Sequence, residues 1–218
     1  MRARGLQAVD GARWRELLAA LDAALAKGRR RELSQLAACA DVAADEALRE
    51  LAAFPARSCS AVEAGVGLAR ARCRARAGCP VSEECPLVAR RGPEGLASSA
   101  PGRLVAALAR KWRRDDQPAP PVSGLSELAE RVPALLERSG RVPPGSPPRA
   151  RTSIAVLDLA LGRGGPFGAT GPFLGAAEVE QVAAFVPPGS GRGAAGLAET
   201  EAWLRWAASA EVALVELP

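Results

Sequence analysis

Apolar side chains near the start of the chain recur at steps of three and four residues. Trp14, Leu17, Leu21 and Leu25 form this stripe, which is typical of an amphipathic helix with one buried face. Asp10 precedes the stripe, and an aspartate in that position can accept the unpaired N–H groups of a first helical turn. We therefore expect a helix from about residue 11 to residue 27.

The same period continues in later segments as far as residue 139. Pro55 should stop one of the resulting helices, and Pro133 should interrupt or kink another, because proline lacks the N–H that an inner helical turn requires. The last of these helices opens at Ser123 or Ser126. Further helices are predicted over 32–41, 44–54, 60–77, 103–114 and up to residue 138.

Beyond residue 150 short apolar runs replace the helical period. Such runs predict strands over 152–159, 181–186 and 211–217, with one helix over 198–208 between the second strand and the third. Strand, helix and strand in that order suggest a small α/β segment with at least one parallel crossover.

A proline- and glycine-rich segment separates the two patterns. Residues 140–149 hold four prolines and two glycines, a composition typical of a boundary. The predicted fold class is therefore mainly α: a helical domain over 1–139 with a cysteine- and arginine-rich stretch over 59–91, a linker over 140–150, and a small α/β segment over 151–218.

Four of the five cysteines lie close together, at Cys59, Cys73, Cys79 and Cys85. Four thiolates can hold zinc or an iron–sulfur cluster. One continuous helix would separate Cys59 from Cys73 by about 21 Å, so a joint site requires the chain to fold back between them. The alternatives are small buried apolar cysteines and a disulfide or redox role. We expect no cofactor, with zinc or an iron–sulfur cluster as the alternative.

Basic residues occur in two clusters, for which nucleic-acid contact is one interpretation. Arg70 and Arg74 fall on one side of the predicted helix over 60–77, and two further arginines fall on nearly the opposite side, so that they form no single phosphate-binding stripe. In the second cluster the basic residues flank a tryptophan, and basic groups beside an exposed aromatic ring can hold a phosphate and stack a base. The alternative is a solvated helix end with the tryptophan in the core. The second cluster consists of Arg110, Lys111, Trp112, Arg113 and Arg114.

Two glycine-containing segments suggest ligand loops. Residues 156–165, Val-Leu-Asp-Leu-Ala-Leu-Gly-Arg-Gly-Gly, resemble the first motif of class I S-adenosylmethionine-dependent methyltransferases, although Ala160 stands where that family has its first glycine. The resemblance implies that Asp158, Gly162 and Gly164 approach the cofactor at the end of a strand; the alternative is that Asp158 caps a turn. Residues 189–193 similarly mimic a phosphate loop but lack its Lys-Ser/Thr end.

Composition narrows the possible chemistry. The chain has no histidine, which excludes Ser-His-Asp triads, Cys-His pairs and imidazole metal ligands within this polypeptide. Its net charge is +5 and its pI about 9.4, which permits an anionic partner. No apolar run reaches the length of a membrane span, and no secretory signal is evident. We expect a cytoplasmic or nuclear protein, with a mitochondrial location as the alternative.

These patterns together predict a protein that binds rather than catalyses. We expect a helical scaffold or accessory subunit of a larger complex, acting through contacts with other protein subunits. Its last apolar strand should need pairing, from its own sheet or from another molecule. The first alternative is a metal- or cluster-bearing nucleic-acid-binding protein that uses the four cysteines. The second is a methyltransferase-like module that binds S-adenosylmethionine.

Overall fold

The computed structural model describes residues 5–27, 29, 31–39, 100–140, 152–162 and 173–217. These residues form seven helices and a small three-stranded sheet, and the fold is mainly α with a small α/β segment, as predicted. The strands are β1 (Gly5–Asp10), β2 (Phe173–Leu174) and β3 (Val212–Leu217). The helices are α1 (Gly11–Lys27), α2 (Arg31–Cys39), α3 (Ala100–Lys111), α4 (Leu125–Arg138), α5 (Thr152–Gly162), α6 (Ala176–Phe185) and α7 (Leu197–Ser209).

The described residues separate into two compact units. The sheet unit contains 5–12, 113–140, 152–162 and 173–216, and the helical unit contains 13–27, 29, 31–39, 100–112 and Leu217. Residues 141–150, most of the predicted linker, lie outside the described residues. The predicted domain boundaries therefore stay a prediction.

The helical unit follows the apolar stripes of the sequence. Helix α1 begins at residue 11 and ends at residue 27, as its period predicts, and Trp14, Leu17 and Leu21 are at most 1% exposed. Helix α2 starts one residue before the predicted position, and Leu33 and Ala37 on it are fully buried. Helix α3 ends three residues earlier than predicted. The helices predicted over 44–54 and 60–77 lie outside the described residues.

Strand β3 is the central strand of the sheet, whose order is β1-β3-β2. It pairs antiparallel with β2, with Phe173 opposite Val215 and Leu174 opposite Leu214. Its first four side chains are all buried, because a central strand covered on both faces needs an unbroken apolar run. The last strand, which we expected to need pairing from its own sheet or from another molecule, therefore pairs within its own sheet. The edge strands of the sheet are β1 and β2.

Two predicted strands are helices instead. Residues 152–159 belong to α5, where Leu157 and Ala160 are buried and Leu159 is 58% exposed, a spacing that only a helix produces. Residues 181–185 belong to α6, whose buried positions Val179, Val182 and Ala183 also follow the helical period. These two segments therefore do not form the strands of the expected parallel crossover, and β2, the described strand that precedes β3, runs antiparallel to it.

One apolar core joins the sheet to α4, α5, α6 and α7. Leu6 and Ala8 of β1 and Leu214 of β3 contribute to it from the sheet. Helix α4 buries one full stripe and continues through Pro133, at the predicted place and with the predicted end. The buried stripe consists of Leu125, Leu128, Val132, Leu135 and Leu136. Among the described helices, none has both the length and the apolar character to cross a bilayer.

Candidate functional site

A groove of about 550 Å³ lies in the sheet unit beside the first residues of β1. This volume falls within the range of about 300–1,000 Å³ that is usual for ligand pockets. One side of the groove is β1, the other side is the segment that leads into α4, and the N-terminal turn of α4 closes one end. The lining residues are Gly5, Leu6, Gln7, Arg113, Gln117, Pro120, Pro121, Val122, Ser123 and Glu127.

The hydrogen bonds of β1 show which of its backbone groups face this groove. The N–H of Gly11 donates to the carbonyl of Glu211, on the side of β3, over 3.2 Å. On the outer side, the N–H of Ala8 donates to Gln117 Oε1 over 3.0 Å. The carbonyl of Ala8 accepts from the N–H of Arg114 over 3.1 Å. Backbone groups alternate sides along a strand, so Leu6 faces outwards as Ala8 does. Among the described residues, nothing outside the strands bonds to the main chain of Leu6.

The wall opposite β1 is a segment without regular structure that several contacts hold in place. Arg113 forms an isolated antiparallel bridge with Val9. The guanidinium of Arg114 binds both carboxylate oxygens of Asp116 over 2.8 Å, and the pKa of Asp116 is lowered by this hydrogen bond. The indole of Trp203 donates to the carbonyl of Pro118 over 3.3 Å. The wall is therefore fixed at its start and in its middle before any ligand arrives.

The end of the groove is built on Glu127. One carboxylate oxygen accepts the N–H of Ser123 over 2.7 Å and its hydroxyl over 2.9 Å. The other oxygen accepts from Arg131. These bonds, the N–H of Ser123 first, hold the pKa of Glu127 below its ordinary value. Glu127 is therefore an ionised group whose bonding capacity is largely taken up inside the protein.

A second carboxylate, from the sheet, supports the same helix. Glu216 of β3 accepts the N–H of Leu125, the first residue of α4, over 3.1 Å. The first N–H groups of a helix lack internal partners and favour negative charge. The start of α4 is thereby tied to the central strand of the sheet.

Two polar groups of the groove, the guanidinium of Arg113 and the Oε1 atom of Gln7, lack partners among the described residues. Arg113 is exposed and forms neither an ion pair nor a side-chain hydrogen bond there. Gln7 Oε1 is buried without a donor. An unsatisfied buried acceptor has lost its bonds to water without replacement. The groove thus combines an open strand edge, an unpaired positive charge and the apolar surface of Pro120, Pro121 and Val122.

The glycine loop over 189–193 is occupied by an anion of the protein itself. Glu201, 8% exposed on α7, accepts the N–H of Gly189 over 2.6 Å and that of Gly191 over 2.8 Å. Burial raises the pKa of Glu201, but the two glycine N–H groups and Arg205 outweigh it, so the net shift is downwards. These N–H groups, which a bound phosphate would need, already have a carboxylate.

Three arginines of the sheet unit donate to carbonyl groups in this loop or on either side of it. Arg131 donates to Gly196 over 2.9 Å, Arg138 to Arg192 over 3.0 Å, and Arg205 to Val186 over 2.9 Å. The loop therefore receives positive charge at its carbonyls and negative charge at its N–H groups. These arginines have a structural role that the sequence pattern does not reveal.

The predicted metal and cofactor residues are only partly described. Cys59, Cys73, Cys79 and Cys85 lie outside the described residues, and within the described ranges no group of three or more acidic or cysteine side chains could hold a metal ion. The four-cysteine site stays a prediction.

The methyltransferase-like motif has lost its expected strand. Asp158 is exposed inside α5 and Gly162 ends that helix, whereas the resemblance implied an acidic residue at a strand end. Gly164 lies outside the described residues. The assignment of Asp158, Gly162 and Gly164 to a cofactor stays a prediction without that strand context.

The predicted nucleic-acid residues occupy different environments. Arg70 and Arg74 lie outside the described residues. Arg110 and Lys111 are exposed in the last turn of α3, and Trp112 is half-buried. Arg114 is paired with Asp116, whereas Arg113 lines the groove of the sheet unit. Nucleic-acid contact by these residues stays a prediction.

Sequence reasoning missed β1 and therefore the groove. The segment Leu6-Gln7-Ala8-Val9 is only four residues long and alternates imperfectly. A short strand of this kind gives a weak signal. The alternation of apolar Leu6 and Ala8 with polar Gln7 is the sign in the sequence that could have revealed it.

Comparison with known proteins gives no match: no protein-family model, no curated protein and no solved structure matches this chain. Its function is therefore inferred from the groove and the chemistry of the groove.

Proposed function

We propose that this protein is a non-catalytic accessory subunit that acts through protein–protein contacts, and that the groove beside β1 is its contact surface. The observation that carries the proposal is the outward-facing main chain of Leu6, at a sheet edge that borders a groove of about 550 Å³. Exposed strand edges are ready templates for pairing with another chain.

The rigidity of the groove supports a binding role. Ala8 is bonded to the opposite wall through Arg114 and Gln117, and Trp203 holds Pro118 in that wall. A surface that is already ordered loses little conformational entropy on binding. This wall needs no rearrangement to receive an extended segment.

The acidic group of the groove suits binding better than proton transfer. A general base works best when its pKa lies near the working pH. The pKa of Glu127 is instead lowered by Ser123 and Arg131, so this carboxylate is a weak base towards the Ser123 hydroxyl. Without histidine in the chain, the groove has no imidazole to replace it.

The test is to fill the groove with a large side chain and to measure which bound proteins the chain no longer retains. A Cβ on Gly5 meets no atom of the described residues within 4 Å, so Gly5→Trp should fill the groove with little cost to folding. Ser126→Trp adds the same side chain at an exposed position of α4 that does not line the groove. The tagged full-length chain and both variants are used for affinity purification with mass spectrometry.

We expect a set of proteins that wild type and Ser126→Trp retain and Gly5→Trp loses. Equal melting temperatures of the two variants would show that the loss is not a folding defect. If all three chains retain the same proteins, the groove is not the contact surface and the proposal is wrong.

A further inference from the structure

We infer that the groove receives an extended, acidic segment of a partner protein. In this arrangement the segment adds a strand at Leu6 and places a carboxylate against Arg113. The inference rests on the proposed function and specifies the chemistry of the partner.

The backbone geometry determines the conformation of the ligand. The N–H and C=O of Leu6 point to the side where Gln117 and Arg114 already bond to Ala8. These existing bonds close the edge at Ala8 and leave it open towards Gly5. A ligand that satisfies both groups of Leu6 must be extended there, because one residue of an antiparallel strand can exchange both bonds with its partner.

The charges of the groove determine the preferred side chain. Arg113 is exposed and unpaired within the described part of the chain, and its fork of donors matches a carboxylate. Glu127, which also lines the groove, is already bonded to Ser123 and Arg131. The available charge is therefore positive, and an acidic residue of the ligand complements it.

The composition of the groove favours a peptide over a nucleic acid. Single-stranded nucleic acids are typically bound by aromatic side chains on which bases stack, and among the described residues no aromatic side chain lines this groove. Pro120, Pro121 and Val122 instead offer an apolar surface to side chains that flank the acidic residue. A strand edge with open N–H and C=O groups suits a polypeptide main chain.

A second copy of this chain is a poorer occupant than an acidic partner. The net charge of +5 opposes self-association. Glu127 is the one acidic residue among the described residues that line the groove, and its oxygens are bonded within its own chain. In the described part of the chain, the groove of a second copy therefore brings no spare carboxylate to Arg113.

The test is a display library of random ten-residue peptides selected against the full-length chain. We expect enrichment of peptides with β-branched residues and one acidic position. Affinity for a selected peptide should fall about fivefold in Arg113→Gln, because an exposed ion pair is lost. It should fall about twentyfold in Arg113→Glu, because the attraction is replaced by repulsion between two carboxylates. Gly5→Trp should abolish binding.

Arg110→Glu is the matched control, because it makes the same charge change at an exposed residue outside the groove. It should keep wild-type affinity. Amide exchange should show new protection at Leu6 in the peptide complex, and N-methylation of the peptide main chain opposite Leu6 should weaken binding. Selection against Arg113→Glu should enrich basic residues instead.

Three results would overturn the inference. They are a selection without acidic preference, tighter binding of a ten-nucleotide oligothymidylate in the groove than of any peptide, and a dimer in light scattering that Gly5→Trp dissociates. If peptides without acidic preference bind the groove, the proposed function stands and only the inference fails. If no groove-dependent protein or peptide is found, both fail.

Discussion

Replacing Glu201 by glutamine should destabilise the glycine loop over 189–193. The carboxylate accepts two glycine N–H groups and the Nε of Arg205, and Glu201 is only 8% exposed. Glutamine keeps one acceptor oxygen and turns an NH2 group towards one of these donors. Either the N–H of Gly191 or the N–H of Gly189 then loses its acceptor.

The magnitude follows from the cost of such a loss. An unsatisfied buried N–H costs about 1–3 kcal/mol, and a hydrogen bond to a charged group is worth about 1 kcal/mol more than one to a neutral group. We expect Glu201→Gln to lower the free energy of unfolding by about 3 kcal/mol near neutral pH. With a urea dependence of about 3 kcal/mol per M, the unfolding midpoint should fall by about 1 M.

The pH dependence of this effect has a definite sign. The pKa of Glu201 is lowered in the folded protein, against about 4.3 in an unfolded chain. Its stabilisation is therefore fully present above about pH 4.3 and is lost as the pH falls through the folded pKa. Wild type and Glu201→Gln should differ most near pH 7 and should converge in acid.

The assays are urea unfolding followed by tryptophan fluorescence, and amide exchange at Gly189 and Gly191. Glu199→Gln is the control, since Glu199 is exposed on the same helix. It should shift the midpoint by less than about 0.2 M, as surface substitutions usually do. An unchanged midpoint in Glu201→Gln, or unchanged exchange at both glycines, would refute the assigned role of the carboxylate.

Four further substitutions test other contacts of the sheet unit. Gly191→Ala should lower the free energy of unfolding by about 3 kcal/mol or more, because its Cβ would lie 2.4 Å from a backbone nitrogen. In Gly193→Ala the Cβ meets no atom of the described residues within 4 Å, so the cost should be about 1 kcal/mol, for its φ of +76°; equal melting temperatures of the two variants would contradict this. Glu216→Gln should lower the free energy of unfolding, measured in urea, by about 1 kcal/mol, because it weakens the contact at the start of α4. An unchanged free energy of unfolding would show that this cap does not stabilise the helix. Gln7→Leu should leave stability unchanged or raise it by about 1 kcal/mol, because it removes an unsatisfied buried acceptor; a loss above 1 kcal/mol would show that Gln7 has a donor.

The sequence predictions were correct where the signal comes from residues close together in the chain, and wrong where packing between distant segments decides the structure. Helix α1 was predicted correctly because an apolar stripe and a polar start are both local signals. Residues 152–159 were predicted as a strand because Ile154 and Val156 favour strands, yet they form α5, where Leu157 and Ala160 reach the core one turn apart. Intrinsic preference was overridden by packing.

The candidate site was less predictable than the helices. Strand β1 alternates imperfectly, because Val9 is apolar at a position where alternation requires a polar residue. That β3 finds its pairing inside the sheet, as the central strand, was not readable from the sequence either. The sequence drew attention to the glycine loop over 189–193, but it could not show that Glu201 occupies the loop N–H groups. Which basic residues stay unpaired was equally invisible, since Arg113 and Arg114 are neighbours in the chain with different partners.

The sequence by itself determined the mainly helical class, the stripes that helices bury, and the absence of imidazole chemistry. These depend on composition and on residues a few positions apart. The tertiary structure decided which strand lies at the edge and which charges are engaged. The bond from Ala8 to Gln117 joins residues 109 positions apart, and the cap of Leu125 by Glu216 spans 91 positions. Contacts of that range form only when the whole core packs, so no local pattern can encode the groove.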